Sequence, residues 1–261
     1  MIKKAALDGS RRKLLSAYLM PGFPYKDSTL RVLRAAEESG VDFVELGVPF
    51  SDPLADGPVI QRASQIAISN GMTPSTILSL VKEFRKESQL PIILMGYVNS
   101  FLNGIGRDFA SRLFEAGVDG VIIPDLSYEE SPEMRGEIEK AGLSIVLLIA
   151  PTSGDDRIAL LDKSTTDFSY CVSVTGVTGA RKNLVSDEVK SFLQLVGRIA
   201  TKPFVVGFGI STPEAAHEIS RYAHGIVVGS AFLQKISEAT QGGEAGKAST
   251  FLKSFRAAID K

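Results

Sequence analysis

Eight short apolar stretches, separated by longer segments of helical periodicity, restrict the fold of this chain more than any other feature. Their alternation with helices predicts βαβ units and a parallel sheet, and their near-continuous apolar character predicts strands buried on both faces. Closure of a (β/α)8 TIM barrel requires eight such units, so we favour this α/β fold over an open doubly wound sheet. The predicted strands span residues 14–21, 42–49, 91–97, 120–126, 144–151, 168–174, 203–210 and 225–232.

We expect residues 1–261 to form one domain, because no linker rich in Pro or Ser divides the chain. The 29 basic and 30 acidic residues give a net charge of -1, which excludes the electrostatic footprint of a nucleic-acid-binding or membrane-surface protein. No secretory signal or membrane-spanning stretch is evident. A single cysteine, Cys171, and two histidines without metal-ligand spacing predict a metal-free cytoplasmic protein, or a plastid stromal one in a plant.

Glu45 lies inside an apolar strand and is the strongest catalytic candidate. Period-two alternation places Phe43, Glu45 and Gly47 on one face, and the small Gly47 leaves room beside the carboxyl group. Burial should raise the pKa of Glu45, which suits a group that both gives and takes a proton near neutrality. Asp56 follows in a loop rich in Pro and Gly, where it can stay ionised and stabilise charge. The alternative is a salt-bridged Glu45 with Asp52 and Asp56 capping turns, and for Asp52 we favour that turn role over catalysis.

Glycine-rich segments follow the last three predicted strands and together predict an anion site. Glycine lets backbone N–H groups approach an anion closely, and a helix N-terminus adds a favourable dipole. One helix is expected to begin near Ser211 or Thr212, and another after Gly229 and Ser230. Loops after strands seven and eight form the usual phosphate site of a TIM barrel, so we predict the phosphate-binding type and a phosphorylated small substrate. Each segment alone is equally typical of a turn. The segments are TGVTGARKN, GFGIST and GSAF.

The loop at 175–183 is long, rich in glycine and carries Arg181 and Lys182. This composition suits a lid that closes over a substrate, and a solvated loop without function is an equal alternative. Tyr97 and Tyr170, near the ends of two predicted strands, are candidates for lining an aromatic-shaped pocket, although core packing is the commoner role of such residues. Ser28 is a plausible N-cap for the first helix.

The segment ELGVPFSDPLADGPVIQRAS, together with TGVTGAR, GFGIS and GSAF in the same order and spacing, resembles the tryptophan synthase alpha subunit family. The resemblance covers about residues 14–258, and the long segment after the second strand is its most specific part. It implies cleavage of indole-3-glycerol phosphate to indole and glyceraldehyde 3-phosphate in L-tryptophan biosynthesis. It also implies that this chain needs no cofactor and that indole passes to a pyridoxal-phosphate-dependent (PLP) beta subunit, in an alpha2beta2 heterotetramer.

The resemblance also assigns roles to individual positions. Glu45 matches the acid/base glutamate, and Asp56 matches the aspartate that accepts a hydrogen bond from the indole N–H group. The phosphate-binding positions correspond to Gly179, Gly209, Gly229 and Ser230. The resemblance implies that Tyr170 and Thr178 support the catalytic pair and the lid. Tyr97 remains a pocket candidate because of its position near a strand end. The side facing the beta subunit corresponds to Asp52, Pro53 and Asp125.

Three other functions remain open at this point. Another phosphosugar isomerase or synthase would use the same barrel, but an indole-3-glycerol phosphate synthase would be expected to bring a lysine from a strand end, and no predicted strand contains one. A purely allosteric binding subunit would bind substrate without turnover, which the intact Glu45 and Asp56 argue against. A free-standing lyase that releases indole is the third alternative.

Overall fold

The computed structural model describes residues 12–172, 185–207 and 209–261, and its centre is a parallel β-sheet. Within these ranges the strands are β1 Leu14–Leu19, β2 Phe43–Gly47, β3 Ile92–Met95, β4 Gly120–Ile122, β5 Ser144–Ile145, β6 Leu148–Ile149, β7 Ser169–Val172, β8 Phe204–Gly207 and β9 Gly225–Val228. The helices are α1 Ser28–Glu38, α2 Pro58–Ser69, α3 Pro74–Phe84, α4 Val98–Leu102, α5 Phe109–Ala116, α6 Pro132–Lys140, α7 Asp155–Ser164, α8 Asp187–Ile199, α9 Pro213–Ser220, α10 Ser230–Ser237 and α11 Glu244–Ile259.

The sheet closes on itself through the fifth predicted strand. The strand order is β5-β4-β3-β2-β1-β9-β8-β7-β6, so β5 and β6 lie at its two ends. These two strands are consecutive pieces of one stretch of chain. Between them, the Val146 N–H donates to Val121 O at 3.0 Å and the Tyr170 N–H donates to Leu147 O at 3.1 Å. The predicted TIM barrel is therefore confirmed, with its fifth strand divided into two short segments.

Side chains from opposite strands meet inside the barrel. The rings of Phe43, on β2, and Phe168, just before β7, have centroids 5.3 Å apart, although β2 and β7 are not neighbours in the sheet. Because side chains alternate along a strand, the next inward positions are Glu45 on β2 and Tyr170 on β7. Glu45 therefore projects into the barrel interior, one layer nearer the carboxyl ends of the strands than the two phenylalanines.

Helix starts agree only partly with the sequence signals. Thr212 caps α9 as predicted, because its hydroxyl accepts a hydrogen bond from the Ala215 N–H at 3.2 Å. The prediction for Ser28 was wrong, since Asp27 is the N-cap of α1. The Ser28 hydroxyl instead donates to the buried carboxylate of Glu244 at 3.0 Å, which ties α1 to α11. No helix in the described part of the chain is long and apolar enough to cross a membrane.

Candidate active site

Glu45 is fully buried on β2, with 0 % of its surface exposed. Val44 and Leu46 flank it in sequence, and Ile93 is its register partner on β3. Neither carboxyl oxygen has a hydrogen-bond partner among the described residues. Loss of hydration therefore dominates, and it raises the pKa of Glu45 from 4.5 to about 8. The sequence predicted this direction, and the group is mostly protonated at neutral pH. Among the described residues, no cation forms a salt bridge with Glu45.

Asp56 lies in the loop after β2 and is held by a tyrosine at the end of β3. The Tyr97 hydroxyl accepts a hydrogen bond from the Ala55 N–H at 3.0 Å and donates one to the Asp56 carboxylate. The ring of Phe50 packs against that of Tyr97, with centroids 5.2 Å apart, so the loop folds onto the barrel mouth. Asp56 is consequently more buried than its polar sequence context suggests.

The electrostatics of this pair keep Asp56 mainly ionised. Burial raises the pKa of Asp56 to about 6, while the hydrogen bond from Tyr97 opposes that rise. For Tyr97 itself, burial and the nearby Asp56 carboxylate raise the pKa to about 12, so it remains a phenol that can donate. At pH 7 the barrel mouth therefore holds a neutral Glu45 and a mostly ionised Asp56. This separation of pKa values is what a proton donor and a charge stabiliser require.

Tyr18 on β1 also belongs to this site, and the sequence analysis did not identify it. It is only 7 % exposed and is the register partner of Glu45 on the adjacent strand. A Cβ atom added at Gly47 would lie 2.1 Å from the Tyr18 hydroxyl oxygen. Gly47 therefore makes room for this hydroxyl group rather than for the Glu45 carboxyl. The available signal was the glycine two residues after Glu45, on the same face of β2.

Tyr170 on β7 approaches Glu45 from the far side of the barrel. Its side chain is buried, and a Cβ atom added at Gly207 would lie 1.8 Å from its hydroxyl oxygen. Burial, followed by the nearby Glu45, raises the pKa of Tyr170 well above its ordinary value, so it stays protonated. Gly207, part of a predicted phosphate-binding segment, thus serves to accommodate a tyrosine. Two phenol groups, from Tyr18 and Tyr170, flank the buried carboxyl.

The other predicted phosphate positions lie at the carboxyl ends of β8 and β9. Gly209 has a φ of +78°, a conformation that favours glycine. Gly229 is the N-cap of α10, and Ser230 is its first residue. Because β9 pairs with β1, Gly229 lies beside Tyr18, and a Cβ atom added there would be 3.7 Å from the Tyr18 Cβ. Gly179, Thr178 and the proposed lid at 175–183 lie outside the described residues.

The residues predicted to face a partner differ in exposure. Asp52 is exposed on the loop after β2, whereas Pro53 is buried and the next residue, Leu54, is 95 % exposed. Leu54 is therefore the exposed apolar residue of this loop, and the partner-facing role of Pro53 stays a prediction. Asp125, also exposed, accepts a hydrogen bond from the Val98 N–H at 3.0 Å and so links the β4 loop to α4.

Both histidines have structural contacts away from this site. The Nδ1 atom of His217 lies 2.9 Å from Ala258 O, and the Nδ1 atom of His224 accepts a hydrogen bond from the Phe204 N–H at 3.2 Å. Across the part of the chain that the structure describes, no group of three His, Cys, Asp or Glu side chains is arranged to hold a metal ion.

Comparisons with known proteins agree with this geometry. The sequence profile of the family described as "Tryptophan synthase alpha chain" matches residues 5–259. The tryptophan synthase alpha chain of Dehalococcoides mccartyi is 43 % identical over 250 residues, which are 96 % of this chain and 96 % of the relative. That of Chlorobaculum parvum is 45 % identical over 254 residues, covering 94 % and 95 % of the two chains.

Solved structures show the same relationship. The tryptophan synthase alpha subunit of Legionella pneumophila superposes with a TM-score of 0.90 at 36 % identity, covering 99 % of this chain and 98 % of that one. A chain of the aminoacrylate-bound tryptophan synthase of M. tuberculosis superposes with a TM-score of 0.86 at 28 % identity, covering 99 % and 98 %. With its full length matched at this level, the chain belongs to the tryptophan synthase alpha chain family.

Proposed function

We propose that this chain cleaves indole-3-glycerol phosphate to indole and glyceraldehyde 3-phosphate by proton transfer through Glu45, with Asp56 stabilising charge on the ring. The family supplies the lyase activity, which needs no cofactor in this chain. One observation carries the residue assignment: the fully buried Glu45 carboxyl has no hydrogen-bond partner among the described residues, and Asp56 lies in the loop that follows the same strand. Burial therefore favours a neutral Glu45, while Asp56 stays mostly ionised at pH 7. Active sites of TIM barrels lie at this end of the strands.

The chemistry follows from these two protonation states. Protonated Glu45 donates its proton to the ring carbon that bears the glycerol chain, and the ring becomes an indoleninium cation. Asp56 accepts a hydrogen bond from the ring N–H group and offsets its positive charge. The Glu45 carboxylate then removes the proton from the hydroxyl group on the adjoining carbon. The carbon–carbon bond breaks, its electron pair returns to the ring, and the new carbonyl group belongs to glyceraldehyde 3-phosphate.

The substrate has no carbonyl group with which an amine could form a Schiff base. Consistent with this, none of the described strands contains a lysine. A carboxyl group that alternates between acid and base therefore supports the reaction better than a lysine nucleophile.

We assign the substrate phosphate to Gly209, Gly229 and Ser230. The first backbone N–H groups of α10 have no partner within the helix, and they point toward the carboxyl ends of β8 and β9. Gly229 also adjoins Tyr18, so a phosphate bound there would place the rest of the substrate toward Glu45. By resemblance, Gly179 completes the phosphate site, and Thr178 supports the catalytic pair and the lid.

We further propose that the chain assembles with a PLP-dependent beta subunit into an alpha2beta2 heterotetramer. The similar M. tuberculosis chains come from structures of tryptophan synthase, one of them an aminoacrylate-bound form. On this chain, exposed Asp52, Leu54 and Asp125 surround the mouth that holds Asp56 and Tyr97. A partner docked there would lie close to the product indole.

Replacement of Glu45 by Gln should reduce indole release by about a thousand-fold or more, because an amide of similar size cannot exchange the proton. Indole would be measured from indole-3-glycerol phosphate with the purified chain, alone and with a tryptophan synthase beta subunit. The beta subunit should raise the rate of the wild type and not that of Glu45→Gln.

The matched control is Glu83→Gln, which alters an exposed carboxyl paired with Lys86 and should leave the rate unchanged. Indole release by Glu45→Gln within ten-fold of the wild type would refute the assignment of Glu45.

The pH dependence of kcat/KM should be bell-shaped. As pH rises through about 6, Asp56 loses its proton and activity rises, and as pH passes about 8, Glu45 loses its proton and activity falls. Steady-state rates between pH 5 and about 9 measure both limbs. In Asp56→Asn the remaining activity should lack the limb near pH 6. Activity that rises, rather than falls, as pH passes about 8 would show that Glu45 reacts as a base from the start.

Substitution Ser230→Ala should raise KM about ten-fold and change kcat less than two-fold, because the hydroxyl group contacts the phosphate equally in substrate and transition state. The matched control is Ser237→Ala, at the opposite end of α10, where the hydroxyl donates to Gln234 O at 2.7 Å. Equal KM values for the two variants would show that the Ser230 hydroxyl does not bind the substrate phosphate.

A further inference from the structure

We propose that Tyr18 is a positioning residue for Glu45: its hydroxyl group donates a hydrogen bond to the carboxylate that forms when Glu45 has given up its proton. The proposal rests on the proposed function, since it concerns the charged form of the acid that starts the cleavage. Gly47 is the one sequence signal that accompanies this residue, and the packing of the barrel interior identifies it.

The backbone register brings Tyr18 to Glu45. The two residues are partners on the neighbouring parallel strands β1 and β2, and both side chains are buried. The phenol extends along β2 to the space above Gly47, where a Cβ atom would lie 2.1 Å from its oxygen and 2.7 Å from its Cζ. Any larger residue at position 47 would displace this hydroxyl group from the site.

The Tyr18 hydroxyl group lies near both carboxyl groups of the site. After burial, the charges of Asp56, Glu45 and Tyr97, in that order, raise the pKa of Tyr18. Among the described residues, Tyr170 on β7 is a further titratable group near Glu45, and the β3 residue paired with Glu45 is the apolar Ile93. Tyr18 therefore remains a phenol and a potential donor throughout the pH range in which Glu45 titrates.

The reaction creates the need for such a donor. Burial without a hydrogen-bond partner among the described residues costs the Glu45 carboxylate far more than protonated Glu45, because a buried charge without a hydrogen bond is strongly unfavourable. The first proton transfer produces that carboxylate. A phenol on the adjacent strand can stabilise it by a small rotation, without admitting water, and can release it when Glu45 recovers a proton from the substrate hydroxyl group.

The test is Tyr18→Phe, which keeps the ring above Gly47 and removes only the donor. We expect kcat to fall about ten- to a hundred-fold, the effect of one hydrogen bond to a charged group, with KM within about two-fold. The falling limb of the kcat/KM profile should move about one pH unit upward, because the lost donor had favoured the ionised form of Glu45.

The control is Tyr222→Phe, which removes a hydroxyl group from the segment before β9, at the opposite end of the barrel, and should change neither quantity. An unchanged kcat in Tyr18→Phe would overturn the proposal. A lower kcat with an unmoved falling limb of the kcat/KM profile would also overturn it, because that result indicates a packing role. A rise in KM alone would overturn it as well, because that result indicates direct contact with the substrate. If Glu45→Gln stays active, the proposed function itself fails. If Glu45→Gln is inactive and Tyr18→Phe behaves as the wild type, only the role of Tyr18 fails.

Discussion

Burial of one carboxyl group, that of Glu45, is the constraint on which the rest of this site depends. It raises the pKa of Glu45 from 4.5 to about 8. Between these two pH values the native chain keeps the Glu45 proton, whereas the unfolded chain has lost it. Because the folded-state pKa is the higher one, stability falls as pH rises through this window, by about 1.4 kcal/mol per unit. The chain keeps this unfavourable arrangement, and the chemistry of indole-3-glycerol phosphate cleavage supplies the reason: an acid that is protonated at neutral pH.

Two tyrosine side chains flank that carboxyl group in the barrel interior, and both reach it through the same tyrosine-over-glycine arrangement. In two pairs of neighbouring strands, a tyrosine on one strand is paired in register with a residue on the other. The tyrosine ring extends over the glycine that lies two positions after that paired residue. Tyr18 does so over Gly47, and Tyr170 over Gly207. The missing Cβ atoms let both hydroxyl groups reach the barrel axis while the strands stay regular. The site therefore gains polar groups without loop insertions and without opening the core to water.

The sequence predicted the periodic part of this structure well. Eight apolar runs gave the barrel, and alternation along β2 gave the inward direction of Glu45. The sequence did not predict the features that depend on tertiary contacts. The division of the fifth strand depends on pairing with strands on both sides, and the burial of Asp56 depends on a loop folding onto Tyr97. Tyr18 looked like an ordinary strand residue, because its role arises from a glycine on another strand.

The most direct test of this account is the titration of the Glu45 carboxyl group itself. NMR spectra of the chain labelled with carbon-13 at its glutamate carboxyls would be followed against pH, and Glu45 assigned by the signal missing from Glu45→Gln. A midpoint near pH 8 is the result that burial without a hydrogen-bond partner predicts. A midpoint near the ordinary value of 4.5 would show that the carboxyl is ionised at neutral pH and would contradict its role as the initiating acid.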